Sequence, residues 1–282
     1  MSTANPLAAP AERPLPGVLR VGLSHAKVEV LNEVLNYVRN PIAVIFTFAL
    51  PIVLLVFIGA MYSGTVAGTG VSVKKVLVAG ILAAGIMSTT FSGLAIGIAA
   101  ERSEGTLHRL AGTPMPRAAY FLGKLINIYA VTLLEVLALL VVGTTLYHLS
   151  WPATAGHWVT LGWVVLLGTT ACATLGIAWS RMAPNARVAT PVVQLPFLSM
   201  QFISGVFVPF SSLPKALQVV AALFPLKWLA QGLRSVFLPA AFQHAEVAGS
   251  WELGRVAVVL GAWTVGAFAV ALFTFTWGGP EE

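Results

Sequence analysis

Two sets of side chains in this sequence have the types and spacing to do chemistry. Glu101, Arg102, Glu104, His108 and Arg109 crowd into one short stretch, and Glu135 stands alone in a long apolar run. Acids beside bases and a histidine are the raw material of proton transfer, but the partners that catalysis needs are missing. The chain contains no Asp, which argues against Asp-held metal and pyrophosphate and against an aspartyl-phosphate intermediate. His25, His108, His148, His157 and His244 never recur at the i, i+3 or i+4 spacing of a helical metal site, so no metal is implied. Gly123-Lys124 is followed by Leu125 rather than Ser or Thr, and no G-x-x-x-x-G-K-[ST] loop exists to cradle ATP. No serine sits in a G-x-S-x-G turn. The reading is therefore a non-catalytic chain with no cofactor of its own, whose charged island binds something. Leu107 and Leu110 share one helical face there, and Gly112 and Pro114 end it, so a short surface helix is expected over about 101–112. The competing reading is a loop whose charges merely orient its flanking helices.

The rest of the chain must place that island at a membrane. Of its 282 residues 57% are hydrophobic and only 9% charged, and mean hydropathy is +0.86. Soluble domains carry roughly 25% charge, so most of this surface has to be solvated by lipid or by itself. The net charge of +6 does not point to nucleic acid, because the basic residues are scattered between apolar runs. Cys172 is the only cysteine, so no internal disulfide can form. Residues 1–17 lack a basic start and a short apolar core, and read as a disordered cytoplasmic tail.

A crossing helix needs about 20 apolar residues, and hydropathy supplies six: about Pro41–Tyr62, Val76–Ala100, Ala118–Leu146, His157–Trp179, Val188–Val208 and Gly254–Trp277. The expected fold is all-α and integral to the membrane, with residues 41–279 as the transmembrane domain and 280–282 as a second tail. With both termini cytoplasmic, ten Lys and Arg fall inside and six outside, which favours that orientation in a cell membrane. Trp151, Trp158, Trp179, Trp251 and Trp277 lie near span ends, where an indole buries its ring and keeps its N–H wet. Residues 18–40 alternate Val21, Val28, Leu31, Leu35 and Val38 with polar residues at helical rhythm, as an interfacial helix does.

Between the last two spans, Gly205, Pro209, Pro214, Pro225 and Pro239 cut the apolar sequence into pieces too short to cross. Backbone that turns at membrane depth survives only against protein or water, so about 209–240 should form a re-entrant helical hairpin from the outer face; a plain external loop is the alternative. Glu135 lies eleven residues beyond Lys124, about 16 Å along a helix and close to the midplane. It is either functional or a hydrogen-bonded stitch to Gln194, Gln201 or a threonine. Gly93 and Gly97, four apart, would allow close helix approach.

The chain resembles permeases of the type-2 ABC exporter family, with the drug-exporter branch the better fit. Three stretches carry the resemblance: Arg39-Asn40-Pro41 entering the first span; Glu101 to Leu110 with Thr113-Pro114 and Gly123-Lys124-Leu125; and Ser204 to Pro209 with Leu213-Pro214 and Phe224-Pro225-Leu226. The resemblance implies a bacterial permease dimer, from two identical or two related chains, served by a separate ATP-binding subunit that holds ATP and Mg. Residues 18–40 would be the connecting helix. Glu101, Arg102, Glu104, Leu107, His108, Arg109 and Leu110 would form the coupling helix that contacts the ATPase. Gly205, Pro209, Pro214 and Pro225 would belong to the external gate. The second and fifth helices would line the substrate path, offering Met87, Phe91, Gln194, Phe197, Gln201 and Phe202, with Glu135 as an acid that could favour cations. Lipophilic or amphiphilic small molecules are the implied cargo. A glycan or lipid-linked cargo, a non-transporting subunit that docks an ATPase, and a lipid-modifying enzyme remain as alternatives.

Overall fold

The computed structural model describes residues 35, 37–112 and 117–274. The tails, Thr113-Pro114, Trp277 and all but the end of the expected connecting helix lie outside the described residues. The chain forms α1 (Pro41–Met61), α2 (Val73–Met87), α3 (Leu94–Ser103), α4 (Thr106–Ala111), α5 (Arg117–Tyr147), α6 (Ala155–Trp179), α7 (Ala186–Ile203), α8 (Lys215–Ala222), α9 (Pro225–Phe237) and α10 (Leu253–Thr274). A π-helical segment, Ser88–Gly93, joins α2 to α3, so the second span is one unit of 31 residues, Val73–Ser103.

Five units are long and apolar enough to cross a bilayer: α1, α2–α3, α5, α6 and α10. The expected fifth span is the exception. Helix α7 has 18 residues with Pro191 and Pro196 inside it, and Gln194 and Gln201 dilute its hydropathy further. It also stops at Ile203, short of the expected Val208, because Gly205 turns the chain with φ +76. A left-handed residue there favours glycine, whose missing Cβ removes the steric penalty.

Burial separates the inner from the outer helices. The α2–α3 unit has 78% of its apolar window buried, against 17% for α1 and for α10. Helix α2 packs on α1, α5 and α9, while α6 lies along α10. Small residues permit two further close approaches, of α2 to the turn after α7 and of α6 to the π-helical segment: a Cβ on Gly80 would stand 2.5 Å from the Val206 carbonyl oxygen, and one on Gly176 would stand 2.6 Å from that of Phe91. The expected pair does not serve this role. Among the described residues Gly97 has nothing within 4 Å and Gly93 meets only its own turn, because both border an open cavity.

Helices α8 and α9 meet at 92°. Pro225 opens α9 at a position where a missing N–H costs nothing, and all 13 residues of α9 are buried, against α2, α6 and α10. Its polar groups are accordingly paired within protein. Arg234 donates through Nε to Glu246 Oε1 at 2.6 Å and through Nη2 to Oε2 at 3.3 Å, and Nη1 reaches the Gly205 carbonyl at 3.4 Å. Gln231 donates to the Trp251 carbonyl at 2.8 Å. The ammonium of Lys227 lies 3.4 Å from the Trp228 ring centroid, a desolvated cation–π contact.

Candidate functional site

The charged island divides into two parts. Glu101 and Arg102 belong to the last turn of α3, the chain turns at Gly105 with φ +70, and only Thr106–Ala111 forms a separate helix. The single helix expected over 101–112 is thus corrected to a helix end, a left-handed glycine and a short helix. The side chains divide the same way. Glu101 accepts from Lys124 Nζ at 2.5 Å and from the Tyr120 hydroxyl at 2.6 Å. Arg102 donates to the carbonyls of Ser180 and Ala183, both at 3.1 Å, and so ties α3 to the turn after α6. Leu107 is 1% exposed and packs with Leu94, Ile98, Tyr120 and Phe121, with Leu110 at the edge of that cluster. Glu104, His108 and Arg109 are the exposed members. Arg109 steadies the turn by donating to the Glu104 carbonyl at 3.2 Å and the Thr106 hydroxyl at 2.9 Å.

Above this end a cavity of about 600 Å³ opens between α1, the α2–α3 unit, α5 and α7. Its apolar wall includes Phe46, Leu50, Ile128 and Val131, and its polar wall Ser88, Ser92, Asn127 and Gln194. Glu101 and Lys124 close its charged end as a pair. From Glu101 back to Ser88 is thirteen residues, so the cavity extends about 20 Å toward the middle of the helices. The π-helical segment puts four polar side chains, Ser88, Thr89, Thr90 and Ser92, into one turn of an otherwise apolar helix. Such segments are frequent at functional sites. That hydroxyl run in an apolar span was the available sequence signal for this wall, and it was missed, as was Asn127 one turn beyond Lys124.

Glu135 does not line the cavity. It is 1% exposed; its Oε2 accepts the Thr89 hydroxyl at 2.6 Å, and its Oε1 abuts Gly85, where a Cβ would sit 2.5 Å away. Thr89 stands between it and the open space. The geometry is that of an interhelical stitch, with a threonine rather than either glutamine as partner. Glu135→Gln, which keeps an acceptor for Thr89, is expected to leave thermal stability within about 1 kcal/mol of the parent, and Glu135→Leu to lower it by about 1–3 kcal/mol. Transport of a cationic and a neutral compound should change in equal proportion in both variants. A selective loss of the cation in Glu135→Gln would assign the acid to cargo instead.

The remaining expected path residues scatter. Met87 and Phe91 are both 0% exposed and belong to the core, Phe91 meeting Trp179 edge-on with centroids 5.9 Å apart. Phe197 and Gln201 are also buried within the chain. Phe202 is 59% exposed, beside Phe207. Gln194 alone of the seven lines the cavity; Phe91 instead packs against Trp179 and Gly176 of α6. Of the expected gate residues, Gly205 turns the chain against Phe210, Pro209 and Pro214 precede Phe210–Ser212 and α8, and Pro225 starts α9.

Residues 26–238, three-quarters of the chain, match the family model described as ABC-2 type transporter. The match spans the charged island, the cavity and the α8–α9 pair. No curated protein matches the chain significantly.

Proposed function

Because this chain belongs to the ABC-2 type transporter family, and so is the membrane permease subunit of an ABC transporter with a partner ABC ATPase, we propose that it exports amphiphilic small molecules. The cargo leaves the cytoplasm or inner leaflet, and ATP with Mg is bound and hydrolysed on the partner. The permease acts as a dimer, with six crossings (α7 the fifth) and both termini cytoplasmic. The observation that carries this reading is α4: a short helix, set off by Gly105 and seated by buried Leu107, that presents Glu104, His108 and Arg109 outward beside the mouth of a cavity.

The mechanism is mechanical. Closure of the ATPases moves α4. Since Leu107 packs directly on α3 and α5, that displacement passes into the two helices whose Glu101 and Lys124 close the charged end of the cavity. The α8–α9 pair at the opposite end serves as the outer gate. Cargo and nucleotide influence one another only through their different affinities for the inward and outward states. No covalent step occurs in this chain.

The cavity between α1, α3 and α5 favours transport over a subunit that only docks an ATPase, because a scaffold has no need of a polar hollow within the bundle. The test is co-expression with its ABC ATPase, followed by reconstitution into vesicles. Expected are a complex of two permeases with two ATPases, no ATP hydrolysis by the permease alone, and ATP-dependent movement of a lipophilic dye. A complex that hydrolyses ATP yet moves no amphiphile would leave the docking subunit as the answer.

A further inference from the structure

The cavity carries information about its occupant in the hydrogen bonds it leaves unmade. Among the described residues, the side chains of Ser88, Ser92, Asn127 and Gln194 form no hydrogen bond within the chain, yet all four line the same space. Ser92 is 3% exposed and borders this space, and its buried hydroxyl has no partner among the described residues. A buried polar group without a partner is costly, and more so inside a bundle that lipid surrounds. These hydroxyls and amides therefore await a ligand that both donates and accepts.

The charges say the opposite. Among the described residues the cavity lining holds one acid and one base, Glu101 and Lys124, and they are bonded to each other at 2.5 Å. The second oxygen of Glu101 takes the Tyr120 hydroxyl, and Glu135 is screened behind Thr89. A charged head entering here would be desolvated without gaining a counter-charge. Phe46, Leu50, Ile128 and Val131 supply an apolar wall for hydrocarbon, and about 600 Å³ is room for one molecule of ordinary ligand size.

Deepening the export reading, on which it rests, we propose that the cargo recognised here is an uncharged amphiphile whose head bears several hydroxyl or carbonyl groups. Asn127 and Gln194, on α5 and α7, grip the head from one side, and Ser88 and Ser92 from the π-helical turn opposite.

The experiment uses the permease–ATPase complex in lipid nanodiscs and a photoreactive decyl glucoside. Four competitors share one chain and differ in head: decyl glucoside, decyltrimethylammonium, decyl sulfate and decylphosphocholine. Photolabel is expected within residues 88–97 and 124–131, with decyl glucoside competing at least tenfold better than the three charged heads. Asn127→Leu and Gln194→Leu should each weaken that competition about fivefold. Asn127→Asp, which changes no volume, should shift the preference toward decyltrimethylammonium. Equal or better competition by any charged head, or label placed elsewhere, overturns the proposal. ATPase stimulation in the same nanodiscs separates the two readings. Stimulation by a charged probe that labels elsewhere sinks the cargo class and leaves the exporter standing. Glucoside bound at this site with no stimulation and no transport sinks the exporter and leaves the site.

Discussion

Glu246→Leu is expected to lower the thermal unfolding free energy of the purified protein by about 3–5 kcal/mol, because it strands Arg234 as an unpaired buried cation. The two side chains are 2% and 5% exposed, so water cannot replace the lost partner. Arg234 lies on α9, Glu246 follows the turn Ala240–Ala245, and the third contact is the Gly205 carbonyl, so one guanidinium fastens three segments around the bend. Arg234→Met alone should be comparably harmful, since it strands the carboxylate. Arg234→Met combined with Glu246→Leu should recover most of the loss, because removing both charges also removes their desolvation cost. Additive losses in the double variant would show that the pair acts through packing and not through charge. In transport, the single variants should free the α8–α9 bend and raise ATP-independent leak of dye from vesicles, whereas the double variant should restore a tight barrier.

That ion pair also shows where reading the sequence stops. Counting Lys and Arg as orientation signals treats each as solvated, but Lys124, Lys227 and Arg234 are buried and engaged within the protein. A pair twelve residues apart across Pro239 becomes visible only once the turn at Ala240–Ala245 folds Glu246 back onto α9. The helices themselves were legible because hydropathy over some twenty residues averages away local detail, and their ends fall within a few residues of expectation except at α7. There two prolines and two glutamines lower the apolar signal, and one glycine decides where the helix stops. Which face of a helix looks inward was not legible. Met87, Phe91 and Glu135 suggested a path by residue type alone, while Phe91 is closed off by Trp179 and Gly176 of α6 and Glu135 by Gly85 and Thr89, which are tertiary facts. The cavity wall, by contrast, had a local signature in Ser88-Thr89-Thr90 and Ser92, which aromatic and soft residues nearby overshadowed.

The second large effect is expected at α4, where the division of the charged island makes the outcome specific. Glu104→Lys with His108→Ala changes only exposed side chains, so insertion and thermal stability should stay as in the parent while cargo-stimulated ATP hydrolysis falls at least tenfold. Losses of that size correspond to the 1–3 kcal/mol typical of coupling between two sites. Leu107→Ala should give the same uncoupling by another route. A helix of six residues has too few internal hydrogen bonds to hold itself in place, and deleting a buried leucine side chain costs about 2–5 kcal/mol, enough to unseat it. Thermal stability should therefore drop in Leu107→Ala and not in the surface variant, although both lose stimulation. Glu101→Lys is a poor probe of the partner surface, because it breaks the contacts with Lys124 and Tyr120 inside the chain and disturbs the cavity as well. Pull-down of the ATPase by each variant, alongside vesicle transport, completes the test. Normal transport and normal ATPase binding in Glu104→Lys with His108→Ala would return the island to a loop that merely orients its helices, and the contact with the ATPase would have to lie elsewhere on the inner face.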